Sequence, residues 1–280
     1  MTTIAESLRC AVQRLKRHSE SPRLDAELLL GKVMGLSRAA LIARGNESVG
    51  QDSVRNFADL ISRREGGAPI AYLTGRSEFW SLPLTVTPAV LVPRPETEAL
   101  VEHTLRIKPA AENCSVLDLG TGSGAIALGL ATERPHWSMT GVDVSPEALK
   151  VAAQNAQALK IGHIRWRLGD WYDAVHGERF DLIVSNPPYL AAADPALARL
   201  AAEPTLALIA GPSGLEALSA IIAAAPRYLR SGGWLLLEHG HTQAMQVAGL
   251  LEQHGFQSIR TFRDLAGMAR IALGSLHTQH

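Results

Sequence analysis

The sequence predicts an α/β fold: a mostly parallel sheet with an antiparallel closing strand, preceded by a small all-α amino-terminal domain and a linking β-hairpin. Three observations carry that reading. From Ser115 onward, short apolar runs alternate with segments of helical periodicity, the pattern of a parallel sheet covered on both faces. Before Gly75 the apolar repeats are helical. Between Glu78 and Val92 the apolar residues fall at alternate positions, as in a hairpin. The expected boundaries are 1–75 for the helical domain, 76–94 for the hairpin linker and 95–280 for the α/β domain.

The elements follow in order. Ile4 to His18 sets Ile4, Leu8, Val12 and Leu15 on one helical face. Ser21-Pro22 is a cap followed by proline at the first helical position; Leu24 to Met34 continues the helix and Gly35 stops it. Gln51 to Glu65 aligns Val54, Phe57, Leu60 and Ile61, and Gly66-Gly67 ends that helix. Phe79-Trp80, Leu82, Leu84, Val86 and Val90-Leu91-Val92 read as the hairpin, turning at Thr87-Pro88. Phe79-Trp80 is expected to pack between domains. Pro93 to Glu98 leads into a helix from Ala99 to Ile107.

Strands are then expected at 116–119, 139–144, 164–168, 180–184 and 234–237. Helices are expected at 124–132, 146–159, 215–229 and 242–254. The closing strands, 257–262 and 269–273, are joined by only a short turn, so at least one must run antiparallel. Ala191 to Ala202 is alanine-rich, and the final His277 to His280 reads as an exposed tail.

Composition narrows the function classes. Of 280 residues, 46% are hydrophobic, enough for a substantial core and against disorder. The formal net charge is zero, whereas a protein that lives on nucleic acid carries a basic surplus to neutralise phosphates. A nucleic-acid substrate is therefore disfavoured. Cys10 and Cys114 lie far apart and form no metal or redox motif, which fits a reduced, cytoplasmic setting. No apolar run approaches the ~20 residues that span a bilayer, so no membrane association is expected. Nor does any cluster of residues read as a metal site or a Ser-His-Asp constellation; His239, after a strand, reads as structural.

Asp118-Leu-Gly120-Thr121-Gly122-Ser123-Gly124 sits where the first strand of the α/β part turns into a helix. Glycines let such a turn close and let a ligand approach the backbone. Asp143, at the end of the second strand, is placed to accept hydrogen bonds from ribose hydroxyls. Asp170 and Trp171 end the third strand, where they can receive an adenine amino group and wall the ring. Gly120, Gly122 and Ala125 also satisfy a relaxed dinucleotide fingerprint, so NAD stays open. An acid before the loop suits S-adenosylmethionine (SAM) better, because its tail carries an ammonium rather than a pyrophosphate; Asp118 is the expected partner of that ammonium.

Asn186-Pro187-Pro188-Tyr189 follows the apolar strand Phe180 to Val184. Two prolines offer no N–H and fix φ, so the chain leaves the strand as a stiff extended loop. The Asn186 side-chain oxygen and the Pro187 carbonyl can accept from a planar –NH2 group, and Tyr189 offers an aromatic face over it. In an open parallel sheet these strand ends share one crevice.

The glycine loop together with Asn186 to Tyr189 resembles the SAM-dependent, Rossmann-like methyltransferases that modify exocyclic or amide nitrogens. Further segments narrow the resemblance to the peptide chain release factor N5-glutamine methyltransferases, the PrmC/HemK family. They are Gly75-x-x-Glu78-Phe79-Trp80, Val90 to Glu98, Glu203-Pro204-x-x-Ala207-Leu208 with Gly211 and Gly214-Leu215, Leu237-Glu-His-Gly240 and Asp264-Leu-Ala-Gly267. Gly267 to Arg270 departs from the more polar segment the family leads one to expect.

The resemblance implies methyl transfer from SAM, leaving S-adenosylhomocysteine, to the glutamine of the Gly-Gly-Gln motif of release factors. It implies Asn186, Pro187 and Tyr189 as catalytic residues. Asn186, Pro187, Pro188, Tyr189, Arg94 and Glu98 would wall the substrate cleft. Pro93 to Glu98 reads equally as a helix start, with Glu96 and Glu98 at the positive end of the dipole. The alternatives are a ribosomal-protein glutamine and a nucleic-acid base.

Overall fold

The computed structural model describes residues 2–109, 111–264 and 266–276, so the expected tail lies outside the described residues. The chain divides into two compact units, Met1–Arg76 and Ser77–His280. In the first, α1 (Ile4–Leu15), α2 (Pro22–Met34), α3 (Arg38–Ala43), α4 (Gln51–Glu65) and α5 (Ile70–Thr74) enclose a core of Ile4, Leu8, Leu15, Leu29, Leu30, Phe57, Ile61 and Leu73. Thr3 and Glu6 form a reciprocal capping box at the start of α1, satisfying two otherwise orphaned donors. Gly35 ends α2 in the left-handed region at φ 65°, where glycine carries no Cβ penalty. The buried Asp25 is neutralised by Arg64 at 2.8 Å, which ties α2 to α4.

The hairpin pairs β1 (Arg76–Phe79) with β2 (Leu82–Thr85). Its turn is Trp80-Ser81, not Thr87-Pro88. Both turn residues have positive φ, 53° and 58°, the combination whose twist matches paired strands. Thr87-Pro88 makes a separate turn, in which the Val90 N–H donates to the Thr87 carbonyl at 3.1 Å. Val90 to Val92 is consequently not a strand. Phe79 is buried in the core of the second unit itself, alongside Leu84, Val101 and Trp137.

A 3-10 turn, Pro95–Thr97, starts α6 (Glu98–Ile107). Strands and helices then alternate as β3 (Ser115–Leu119), α7 (Ala125–Glu133), β4 (Ser138–Asp143), α8 (Pro146–Ala158), β5 (Ile164–Leu168) and β6 (Phe180–Ser185). A short parallel pair, β7 (Leu190–Ala191) and β8 (Ile209–Gly211), lies apart from the main sheet. The chain closes with α9 (Glu216–Tyr228), β9 (Leu229–Glu238), α10 (Ala244–Gln253), β10 (Gln257–Arg263) and β11 (Ala269–Leu276).

The seven-stranded sheet has the order β10-β11-β9-β6-β3-β4-β5. Neighbours from β5 to β9 are parallel, and β11 is antiparallel to both β9 and β10, as the short closing turn requires. β3, β6 and β9 are buried on both faces, with Leu117, Leu182, Ile183, Leu235 and Leu237 fully enclosed. One core packs around Trp137 and Met139, the other around Phe180, Leu218 and Ile222.

Gly141 on β4 is paired across the ladder with Trp166 on β5. A Cβ at Gly141 would stand 2.5 Å from the Trp166 ring. Gly141→Ala is expected to destabilise the fold by about 1–3 kcal/mol, the usual cost of overpacking, and to lower the thermal midpoint by several degrees. An unchanged midpoint would show that the indole moves aside freely.

Candidate active site

The carboxyl ends of β3, β4, β5 and β6 open into a cavity of about 600 Å³. Gly120, Thr121, Gly122, Ser123, Asp143, Asp170, Trp171, Asn186, Pro188 and Arg94 all line it. The glycine loop has left-handed backbone at Gly120, Gly122 and Gly124, φ 68°, 57° and 81°. Asp143 shapes this loop: one carboxylate oxygen accepts from the Gly122 N–H at 2.8 Å, the other from Ser145 at 2.9 Å. Burial raises its carboxyl above the ordinary range against those amides. Trp171, itself at φ 45°, brings its ring to within 3.5 Å of the point where a Gly120 Cβ would lie.

Two loop residues serve elsewhere. Gly124 does not line the cavity; a Cβ there would meet Trp166, Ala152 and Leu128 at 3.0–3.2 Å, so its role is to let α7 close on the sheet. Asp118 was expected beside the ammonium of a ligand, yet it is fully enclosed and absent from the cavity wall. The reason is its register: it stands between Gly141 of β4 and Val184 of β6, inside the sheet rather than beyond its end. There it accepts from the Thr121 hydroxyl at 2.6 Å and braces the loop from below. Burial pushes its carboxyl up to about 7.

Asn186 donates through Nδ2 to Thr97 Oγ1 at 3.1 Å. The Thr97 hydroxyl donates to Glu238 Oε2 at 2.6 Å, and the Tyr189 hydroxyl reaches Glu238 Oε1 at 3.3 Å. Glu238 is 1% exposed, and burial pushes its carboxyl up to about 7. Pro187 and Tyr189 line an adjoining hollow of about 90 Å³, which shares Asn186 and Arg94 with the main cavity. Tyr189 is largely buried, its phenol pushed upward and its carbonyl taken by Gln243 at 3.0 Å.

Arg94 is ion-paired with the buried Glu203, which also accepts from the Val92 N–H at 3.3 Å. The pair holds Val92 to Arg94 as one wall of the cavity. Glu98 lines neither hollow; it accepts from the Trp80 N–H at 2.8 Å and fixes the hairpin turn. Thr97, Glu238 and Glu203 sit in segments quoted above without a role. The available signal was a glutamate ending the apolar run Trp234 to Leu237, which is costly unless the carboxylate is partnered.

Asp118 has a consequence for stability. A carboxyl that keeps its proton up to about pH 7 in the fold, but only up to about 4 in the unfolded chain, favours the folded state most at low pH. That contribution is full below about pH 4, declines as pH rises towards about 7, and is level above. Asp118→Asn is expected to flatten the fall in thermal midpoint between about pH 5 and 7, with a residual slope from Glu238. An undiminished slope in the variant would rule Asp118 out as its source.

Residues 6–75 match the family described as PrmC N-terminal domain, and residues 110–259 match a methyltransferase domain family. The chain is 45% identical to a release factor glutamine methyltransferase of Coxiella burnetii, over 97% of this chain and 98% of that one. Identity to that of Salmonella typhimurium is 47%, over 94% and 95%. For that of Pseudomonas aeruginosa it is 46%, over 98% and 99%.

Among solved structures, a methyltransferase from Pyrococcus furiosus matches with TM-score 0.54 at 19% identity, covering 70% of this chain and 90% of its own. The T. thermophilus 16S rRNA N2 G1207 methyltransferase, in complex with AdoMet and guanosine, matches with TM-score 0.56 at 22% identity, covering 72% and 50%. These two likenesses establish the sheet as a methyltransferase fold. With relatives of one name at such identity along nearly its whole length, and family matches in both its units, the chain belongs to the release factor glutamine methyltransferase family.

Proposed function

We propose that this protein transfers a methyl group from SAM to the side-chain amide nitrogen of the glutamine in the Gly-Gly-Gln motif of peptide chain release factors. The observation that carries the reading is the state of Asn186. Its Nδ2 is committed to Thr97, so Oδ1 is the acceptor left for a donor in the cavity.

The cavity fits SAM. Its volume lies in the ~300–1,000 Å³ range of small-molecule sites. Gly120 and Gly122 would admit the ligand to the backbone, Asp143 would take the ribose, and Asp170 with Trp171 would receive the adenine. Asp118 supports the loop rather than the ligand. When bound, SAM supplies an electrophilic methyl carbon.

The chain's task is then to hold a poor nucleophile. A glutamine nitrogen shares its lone pair with the carbonyl, and its two N–H bonds need acceptors when desolvated. Asn186 Oδ1 and the Pro187 carbonyl supply them from one proline-stiffened stretch. Held so, the nitrogen is oriented for attack, an effect worth about 7–11 kcal/mol in the best intramolecular cases. No strong base is required, because the amide N–H becomes acidic as the N–C bond forms and gives its proton to water.

The helical unit, whose residues 6–75 match the PrmC N-terminal domain, is assigned to recognition of the release factor. Release factors work on ribosomes, which assigns the protein to the cytoplasm. No helix among the described residues is long and apolar enough to cross a membrane.

Incubation of a release factor with SAM and this protein is expected to add one methyl group to the Gly-Gly-Gln glutamine, read by intact mass and fragment spectra. Asn186→Ala is expected to slow transfer at least about 100-fold while leaving the fold and SAM binding by calorimetry in place. An unmodified release factor, or a variant as fast as the wild type, would overturn the assignment.

A further inference from the structure

The Asn186 amide can face the cavity in either of two ways, presenting Oδ1 as an acceptor or Nδ2 as a donor. Only the first receives an –NH2 group. We propose that Glu238, acting through the Thr97 hydroxyl, sets that orientation and is a positioning residue for the transfer. The inference rests on the reading of Asn186 given above.

The Thr97 hydroxyl has a single proton and two acceptor sites. An ionised Glu238 can only accept, and it stands 2.6 Å from Thr97 Oγ1, so the hydroxyl proton points at Glu238. Thr97 then meets Asn186, 3.1 Å away, only as an acceptor. Its partner must be the Nδ2 donor, and Oδ1 is left to the cavity. Tyr189 reinforces the arrangement, because its phenol proton goes to the other Glu238 oxygen at 3.3 Å.

When Glu238 takes up a proton, the carboxyl can donate to Thr97 Oγ1. The hydroxyl proton is then released towards Asn186, whose Oδ1 turns to accept it. The –NH2 of Asn186 swings to the cavity and faces the –NH2 of the substrate, donor against donor. No bond between heavy atoms changes; one proton is gained at Glu238 and one hydroxyl proton is redirected.

Several charged or titratable groups bear on Glu238. Arg270 on β11 favours its ionised form, and is itself bound to Asp264 at 3.2 Å. Glu96, on the turn before α6, disfavours it. Tyr189 follows β6, and His239 is the next residue on the chain after β9. His239 is buried, with its ring pushed towards the neutral form. Burial outweighs the rest and places the Glu238 transition near neutrality, at about 7.

The test uses the full-length protein. In wild type, the side-chain amide resonances of Asn186, identified by their absence in Asn186→Ala, are expected to titrate between about pH 6 and 8. In Thr97→Val they should cease to titrate. The same variant is expected to lose about tenfold or more in kcat with KM for SAM nearly unchanged, and Thr97→Ser should recover it. Glu238→Gln should lose the acidic limb of the kcat profile.

Asn186 resonances that ignore pH, a Thr97→Val kcat within about twofold of wild type, or an acidic limb that survives in Glu238→Gln would overturn the proposal. A wild-type protein that leaves release factors unmodified would instead overturn the substrate assignment. The amide titration would still decide the positioning role.

Discussion

The sheet changes direction between β3 and β6, and the site depends on that reversal. β3, β4 and β5 follow one another outward to one edge, after which the chain returns to place β6 on the other side of β3. Right-handed crossovers on the two sides of such a point must lie on opposite faces of the sheet. The loops at the carboxyl ends of β3 and β6 therefore diverge, and no helix can fill the space between them. The cavity occupies that space. Glycine loop and Asn186 corner are brought side by side by topology before any side chain contributes.

What side chains add is rigidity. Each loop at the rim is tied by a buried or half-buried polar group. Asp118 holds Thr121, Asp143 holds Gly122 and Ser145, and Asn155 accepts from the Thr85 N–H while donating to the Ser123 carbonyl at 2.9 Å. Ser185 donates to the Leu119 carbonyl at 2.6 Å, and Gln243 bonds the Tyr189 and Gly214 carbonyls. In a low-dielectric interior such bonds strengthen one another when all are satisfied. The same burial that strengthens them raises the carboxyls of Asp118 and Glu238 to near neutrality. Loops that would otherwise be the mobile part of the fold are thus fixed from below, as a site requires if it orients a weak nucleophile rather than activating it with a base.

The parts that were legible in the sequence are those whose signal is local. Alternating apolar runs and helical repeats marked the seven-stranded sheet and its covering helices, because burial on both faces demands continuous apolar strands, whereas β7 and β8, of two and three residues, carry no such run. The glycine loop and the Asn186 corner were legible because left-handed turns and double prolines have few substitutes. α3 and α5, of six and five residues, are too short to display a helical period. Trp80-Ser81 is not a pair that advertises a left-handed hairpin turn, so the nearby Thr87-Pro88 drew the turn instead. Asp118 and Glu98 have site residues for neighbours along the chain, yet their partners are Thr121 and Trp80, the latter 18 positions away. Tyr189 lines the adjoining hollow while its hydroxyl reaches Glu238, 49 positions away. Thr97 and Glu238 lie 141 positions apart, and no local pattern could have paired them.

A planar –NH2 with two acceptors opposite describes adenine as well as glutamine, so the Asn186 corner alone cannot choose between them. Beyond that corner lies the cavity's outer wall, built from an irregular segment before α6 on one side and from a short 3-10 turn leading into β8 on the other. Val90 to Arg94 on one side and Pro204 to Ala210 on the other both line the cavity. They are held together by Glu203, which takes both the Val92 N–H and the Arg94 guanidinium. Arg94 is therefore spent on shaping the wall and is only partly available to a substrate. The rim it shapes is apolar at Leu91, Pro93, Pro204 and Leu206, with Leu206 62% exposed. Such a rim offers apolar contact at the mouth of the cavity. Two segments more than a hundred residues apart thus form one wall, joined through one buried carboxylate.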